Sequence, residues 1–594
     1  MSEKQISLFI DGVEISVKDG STILEAAKVA GVQIPTLCHH DDLCVAGNCR
    51  VCVVEVEGRP RLEASCATPA QEGMHIKTSS PKVRQARTDI VALLLSEHNS
   101  TCTSCYRNQN CELQTLSSEF NIDTEKYMDI CEYEAIDKSS VSIQRDLSKC
   151  IRCLRCVRTC AEIQSVNAFT AANKGHEMKI TTFMDLPLND VVCSTCGQCI
   201  NRCPVGALTE QRYYHNIWDA IGDPKKHVVV NTAPATRVVI GEGFGYGVGQ
   251  RVTGKMVSAL RRLGFDSVLD TDFTADLTII EEGNELLQRL KKALVDKEEV
   301  ALPMFTSCSP GWVKYLEHMY PELIPNLSTC KSPQQMFGAL TKTYYADKVG
   351  INPEDIVSVS IMPCTAKKFE ANRPEMRSSG YQDIDFGLTS RELIKMIQQA
   401  GIDFNNLPDS EYDSFMGKST GAAVIFGATG GVMEAALRTV YEVVTGREIP
   451  FKNLDITPVR GFDSIKEASL IFENCLPAFS FLEGVEAKVA IAHGLSNAKI
   501  LMEQVKAGKS PYHFVEIMAC PGGCLGGGGQ PIPTNEEIRT KRMKAIYEED
   551  ANMPIRKSHE NPEIKEIYEE FLKEPLGHKS HELLHTHYRG RNRY

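Results

Sequence analysis

Apolar and polar residues alternate at the start of the chain. Ile6, Leu8 and Ile10 share one side, and Val13, Ile15 and Val17 repeat the pattern after Asp11-Gly12. A period of two on both sides of a dipeptide that tolerates positive φ predicts a hairpin. The period then lengthens over Ser21–Ala30, which predicts a helix, and a second strand pair is expected around Val51–Glu57. Between Pro81 and Glu97 the residues Val83, Ile90, Val91, Leu94 and Leu95 make the core face of an amphipathic helix. A strand is predicted at Ile180–Phe183. Beyond His227, strand-like runs (Val228–Val230, Val238–Ile240, Ile356–Ile361, Val489–Ile491) interleave with helical segments at Thr253–Leu263 and Gly430–Glu442. That interleaving predicts α/β layering. The chain closes on a polar helical stretch rich in Glu, Lys and His. Its histidines (His559, His578, His581, His585 and His587) are expected to face solvent and hold no metal.

A chain of 594 residues exceeds a single core, so several domains are expected. Apolar residues make up 42% and charged ones 24%, an ordinary globular balance. The net charge of −12 argues against a nucleic-acid partner, which demands clustered Lys and Arg. No apolar run approaches the roughly 18 residues of a membrane span, and the N-terminus shows no signal-type stretch. A reducing cytoplasmic location is expected, since it keeps thiols available for metal. The 23 cysteines cluster at metal-binding spacings rather than scattering.

Two runs share the spacing C-x2-C-x2-C-x3-C: Cys150, Cys153, Cys156, Cys160, and Cys193, Cys196, Cys199, Cys203 before Pro204. This is the pattern of a module holding two 4Fe–4S cubanes, in which the fourth cysteine of each run serves the other cluster. The expected sets are Cys150, Cys153, Cys156 with Cys203, and Cys193, Cys196, Cys199 with Cys160. Paired zinc knuckles are the competing reading, but they close on C-x2-C pairs. Upstream, Cys38, Cys49, Cys52 and Cys66 suit a 2Fe–2S centre, with Cys44 a rival to Cys38. His98, Cys102, Cys105 and Cys111 suit a 4Fe–4S cube with one imidazole ligand. The competing reading of His98 is a surface residue at a helix end. The glycine-rich Gly241–Gly247 stretch matches no dinucleotide fingerprint, and there is no P-loop. It reads as a flexible turn, so nucleotide binding is not expected in this chain.

Three segments of the α/β region carry further cysteines among glycines and prolines. They are Phe305-Thr306-Ser307-Cys308-Ser309-Pro310-Gly311-Trp312, Met362-Pro363-Cys364-Thr365-Ala366-Lys367-Lys368-Phe369-Glu370, and Glu516-Ile517-Met518-Ala519-Cys520-Pro521-Gly522-Gly523-Cys524 ahead of Gly526–Gly529. Buried packing thiols would account for any one of them but not for the glycine and proline around each. Together they closely resemble the signature loops of the iron-only (FeFe) hydrogenases. The resemblance extends over nearly the whole chain, and the upstream portion also looks like the electron-input subunit of respiratory complex I.

The resemblance implies an α+β multidomain chain. It comprises a β-grasp 2Fe–2S ferredoxin domain (1–80), a His-ligated 4Fe–4S helical domain (81–136), a two-cubane ferredoxin domain (137–222), a two-lobed α/β catalytic domain (223–530) and a small-subunit-like helical tail (531–594). The implied cofactors are one 2Fe–2S cluster, three accessory 4Fe–4S clusters and an H-cluster, a 4Fe–4S cube bridged to a two-iron azadithiolate unit bearing CO and CN. Cys364, Cys520 and Cys524 are then cube ligands, Cys524 bridging. Where the family has two adjacent cysteines, this chain has Cys308 and Ser309. In strict register Cys308 relays protons and Ser309 stands at the ligand position; a loop shift would exchange the roles. Glu282, Glu285, Arg289 and Ser328 resemble the family's proton relay, although at i, i+3 and i+7 the first three also read as a solvated salt-bridge stripe. Lys367, Gln334, Pro333, Met362, Met518 and Phe426 resemble residues lining the two-iron pocket.

The implied activity is interconversion of H2 with protons and electrons. The implied partners are flavin- and NAD(P)-binding subunits and ferredoxin, with electron bifurcation. A stand-alone ferredoxin-linked hydrogenase and a hydrogen sensor or assembly scaffold without turnover are the competing readings. Cys131, Cys330 and Cys475 are expected to be structural thiols.

Overall fold

The computed structural model of the protein describes residues 4–123 and 131–593. The first residues, on which the leader reading rests, and 124–130 of the expected His-ligated 4Fe–4S domain lie outside the described residues.

The opening alternation folds as read. Gln5–Ile10 pairs antiparallel with Val13–Lys18 through a turn in which Asp11 and Gly12 have φ of 49° and 85°. Both values are positive, as the tightest hairpin turn requires. The resulting mixed sheet runs Val13–Lys18, Gln5–Ile10, His75–Lys77, Val53–Val56, Glu63–Ala64. Helix Ile23–Val29 covers it, started by a Thr22/Glu25 capping box. Helix Pro81–Ser96 follows, with Ser80 as N-cap and Pro81 in the first turn.

Two expected strands need correction. Of Ile180–Phe183 only Ile180 and Thr181 are extended, as the end of strand Lys179–Thr181. It pairs with Thr170–Ala172, and Phe183 opens a 3-10 turn. Val238–Ile240 is no strand: Pro234–Val238 and Ile240–Phe244 are 3-10 turns. These apolar residues are buried on all sides, and a short run of that kind shows no period that separates strand from turn.

The α/β region holds two four-stranded sheets. One is wholly parallel, in the order Ser267–Asp270, His227–Thr232, Ile356–Met362, Phe386–Thr389. The other runs Met304–Phe305, Phe514–Met518, Glu486–His493, with Ile465–Ile471 antiparallel at its edge. The central strands are apolar and buried, as expected for sheets covered on both faces by helices. Helix Thr271–Lys291 and helix Gly431–Thr445 pack together between them.

The C-terminal tail is not a loose polar stretch. Helix Glu536–Asn552 sends Arg542 to Glu242 (2.6 and 2.8 Å) and to the Leu525 carbonyl (2.9 Å). Arg438, fully buried, bridges Glu434 one turn away (2.7 Å) and Asp550 of that helix (2.9 Å). Farther on, Leu584 and Thr586 pair their backbones with Lys331 and Thr329. This pairing carries His585 inside, where it is 8% exposed. The expectation that the tail histidines all face solvent is therefore wrong for His585, because backbone pairing, invisible in composition, draws it in. His559 is half-buried, while His578, His581 and His587 are exposed. Among the described residues no helix is long and apolar enough to cross a membrane.

Candidate active site between the two sheets

Three of the signature segments leave strands at their carboxyl ends, where ligand crevices of open α/β sheets form. Phe305 ends one strand and leads to Cys308-Ser309. Met362 ends another and leads to Pro363-Cys364, and Met518 a third, leading to Ala519-Cys520. They converge on one cavity lined by Cys308, Ser309, Cys364, Cys520 and Cys524. Pro333, Gln334, Met362, Lys367, Phe426 and Met518 complete its wall. Among the described residues no two cysteines are joined by a disulfide.

Lys367 is aimed by two contacts: its Nζ donates to Glu370 (2.8 Å) and to the Cys308 carbonyl (3.1 Å). An ammonium has three donors, so one is left for a ligand in the cavity. Gln334 donates to the Lys367 carbonyl (3.2 Å), while its buried Oε1 has no protein partner. Ser309 turns its hydroxyl to accept from the Ala519 N–H (3.2 Å), on the Cys520 side. Cys308 instead shares its surroundings with Glu282, Lys367 and Glu516. Burial first, and the Glu282 charge next, push the Cys308 thiol well above its usual range, with Lys367 opposing.

Behind Cys308, Glu282, Glu285 and Arg289 of the expected relay share one face of helix Thr271–Lys291, with Ser328 on a neighbouring loop; the face is not solvated, because Glu282 and Glu285 are buried. Burial and the neighbouring Glu285 charge push the Glu282 carboxyl up to about 8, against hydrogen bonds from Ser328 and the Ser307 backbone. Ser328 donates to Glu285 (2.9 Å), which also accepts from Arg289 (2.6 Å). Arg289 is additionally held by the Leu327 carbonyl (2.7 Å).

The glycine run explains how this cavity meets the cysteine-rich part of the chain. A Cβ at Gly528 would lie 2.2 Å from the Cys196 carbonyl oxygen, and one at Gly527 2.2 Å from that of Pro363. Only bare backbone fits such an approach. Gln198 and Asn201 fasten it by donating to the carbonyls of Gly526 (2.8 Å) and Gly527 (2.9 Å). Thr365 donates to the Thr195 carbonyl (2.8 Å) from the other side. Cys196 consequently lines this cavity itself, a position its spacing motif did not reveal.

The upstream cysteines gather in sets. Cys150, Cys153, Cys156 and Cys203 line one small apolar cavity. Cys160 lies instead with Cys193 and Cys196, so the fourth cysteine of each run sits with the other run. In the N-terminal domain Cys52 and Cys66 have their sulfurs 3.3 Å apart, and Cys38 contacts both Cys49 and Cys66. Cys44, the rival, is exposed and donates to Glu162 (2.7 Å). Cys102, Cys105 and Cys111 share one neighbourhood. His98 is 7% exposed, which overturns the surface reading, and its Nδ1 is buried without a partner. Cys131 and Cys475 are half-buried and Cys330 fully buried.

The donor set fits the groups the resemblance implies. Soft thiols in fours suit iron–sulfur clusters, and an orphan imidazole nitrogen on His98 suits a mixed ligand set. The main cavity offers the thiols of Cys196, Cys308, Cys364, Cys520 and Cys524, the Ser309 hydroxyl, an apolar wall and the remaining donor of Lys367.

Comparison with known proteins gives the same result. The family description "Iron only hydrogenase large subunit, C-terminal domain" matches residues 226–528, and "Iron hydrogenase small subunit" matches 536–591. Upstream, a 2Fe-2S iron-sulfur cluster binding domain matches 3–81. The NADH-ubiquinone oxidoreductase-G iron-sulfur binding region matches 87–126, and the ferredoxin-like domain of NADH-quinone oxidoreductase subunit 3 matches 140–209. The NADP-reducing hydrogenase subunit HndD of Solidesulfovibrio fructosivorans is 49% identical, with 99% of each chain covered. Iron hydrogenase 1 of Clostridium pasteurianum is 39% identical over 98% of this chain and all of that one. A solved structure of the apo FeFe-hydrogenase of Chlamydomonas reinhardtii superposes with a TM-score of 0.57 at 46% identity, covering 64% of this chain and 99% of that one. With its thiol-lined cavity at the strand ends and its iron–sulfur domains upstream, the chain belongs to the iron-only hydrogenases and is an oxidoreductase acting on hydrogen.

Proposed function

We propose that the chain is the catalytic subunit of a cytoplasmic, multisubunit NAD(P)-linked hydrogenase whose partners bind flavin and nucleotide. Ferredoxin is a second electron partner, and bifurcation couples the two. The observation that carries this reading is a fork in the cysteine sets. The Cys193/Cys196/Cys199/Cys160 set adjoins the catalytic cavity, and Cys156 of the next set neighbours Cys199. Two separate modules then abut that outer set. Cys105 lies close to Gly206, just past Cys203, while Arg158, just past Cys156, donates to the carbonyls of Cys38 and Cys44. One catalytic centre with two outlets suits two electron partners. Full-length likeness to a subunit of an NADP-reducing hydrogenase and the lack of a nucleotide motif in this chain support placing flavin and NAD(P) elsewhere.

In this reading Cys38, Cys49, Cys52 and Cys66 hold the 2Fe–2S cluster, and His98 with Cys102, Cys105 and Cys111 one cube. The two crossed sets hold two more. Cys364, Cys520 and Cys524 hold the H-cluster cube with Ser309 at the fourth position. When bound, the H-cluster supplies the open iron site and the basic amine at which H2 is cleaved or formed.

The protein's own part is positioning and proton traffic. Cys308, kept a neutral thiol by burial, exchanges a proton with Glu282, and Ser328 connects Glu282 to Glu285. Lys367 donates into the cavity, and Met362, Met518, Phe426 and Pro333 exclude water. The orientation of Ser309 toward Ala519 and of Cys308 toward Glu282 favours the strict register of that loop.

The reading is tested by purifying the chain through an affinity tag from its native cell. A flavoprotein is expected to accompany it, and the preparation to reduce NAD+ or NADP+ with H2. A lone chain exchanging electrons with ferredoxin alone contradicts the multisubunit reading.

A further inference from the structure

The relay behind Cys308 ends at a residue poorly suited to release a proton. Arg289 is the outermost member of the face, and a guanidinium does not deprotonate in the working pH range. Its donors are moreover spent on Glu285 and on backbone carbonyls. Glu285 has a second neighbour, however. The Thr329 hydroxyl donates to its Oε2 (3.2 Å), and the same hydroxyl meets His585 Nδ1 at 2.8 Å. The other ring nitrogen, Nε2, lies 3.2 Å from Glu281. The ring of His581, exposed at the surface, lies 4.4 Å from that of His585, centroid to centroid.

We propose that Glu285, Thr329, His585 and His581 form a second outlet for protons, through the C-terminal segment. It rests on the relay reading above and extends it. In the outward direction Glu285 gives a proton to the Thr329 hydroxyl as that hydroxyl gives its own to His585 Nδ1. His585 then loses its Nε2 proton on the side of Glu281 and His581, and solvent takes it up. One proton enters the chain of groups and one leaves, with no change in redox state. Imidazole is the side chain suited to this step, since its two nitrogens accept and donate in turn near neutral pH.

The surroundings are arranged for a transient imidazolium. Burial alone would raise the Glu281 pKa, but hydrogen bonds from His585, Tyr568 and the Leu576 N–H outweigh it and keep Glu281 ionised. The remaining groups facing His585 are Cys330, whose sulfur is 4.0 Å from Nδ1, and Glu285 beyond it. Position is set by the backbone pairing that runs through Cys330 and His585, so the outlet exists only because the tail is docked.

The test compares His585→Gln, Thr329→Val, His581→Ala and Glu285→Gln in the matured full-length enzyme with an artificial dye as electron acceptor. His585→Gln is expected to lower kcat at least about tenfold. KM for the dye and the infrared bands of iron-bound carbonyl and cyanide should stay at their wild-type values. Free imidazole should restore part of the rate, and the solvent isotope effect on kcat should rise, neither of which a structural role produces. Thr329→Val should match it, and the surface variant His581→Ala should show a smaller loss without any change in folding. Wild-type turnover in His585→Gln and His581→Ala, beside a collapsed Glu285→Gln, overturns the outlet and leaves the relay standing. Full turnover in Glu285→Gln overturns both.

Discussion

Replacing Cys308 by alanine is expected to lower hydrogen turnover by roughly 10²–10⁴-fold, the range contributed by a positioned proton-transfer group. Iron content and the infrared bands of the matured enzyme should stay as in the wild type. The reasoning is positional. Cys308 lines the catalytic cavity, and the charge it feels most strongly is that of Glu282, the first buried carboxylate of the proposed relay. A thiol pushed upward by burial stays neutral, so it can take and give a proton without resting as a stable thiolate. Alanine removes the donor and leaves Glu282 facing an apolar methyl. The same variant separates the two registers of this loop. Loss of cube iron in Cys308→Ala would show that Cys308 is a ligand and Ser309 the relay group, whereas full turnover with full iron would remove Cys308 from any essential role.

Cys524→Ala carries the other large expectation, a complete loss of turnover with the four upstream clusters retained. Cys524 lies in the cavity with Cys364 and Cys520, just ahead of the glycine run that presses on Cys196. As the thiolate that joins cube to two-iron unit in the proposed assignment, it has no substitute. The expected readout is disappearance of the iron-bound carbonyl and cyanide bands, while the electron paramagnetic signals of the upstream clusters persist after reduction. Persistence of the infrared bands in Cys524→Ala would place the bridging sulfur elsewhere.

The parts of the site legible in the sequence are those written in local spacing. The crossed cysteine sets, the strand-end loops and the i, i+3, i+7 face of Glu282, Glu285 and Arg289 all depend on residues close in sequence or on short repeated gaps, which constrain geometry directly. What the sequence hid depends on distant backbone meeting backbone. Gly528 reads as one more flexible glycine until the Cys196 carbonyl is seen against it. His585 reads as one of several tail histidines until the strand-like pairing with Thr329 and Lys331 draws it in. Glu370, which orients Lys367, was visible three residues away, a helical spacing that could have flagged it. The mistaken strand at Val238–Ile240 has the opposite cause: a short apolar run buried all round carries no periodic signal to read.

The central claim is that this polypeptide wires iron–sulfur sites to a buried two-iron unit carrying diatomic ligands. It is tested most directly by infrared spectroscopy on the matured protein with iron quantified in the same sample. Bands of iron-bound carbonyl and cyanide, with iron in the amount of one 2Fe–2S cluster, three accessory cubes and an H-cluster, are the predicted result. Zinc in place of iron, or a fully iron-loaded and matured sample without those bands, would contradict it.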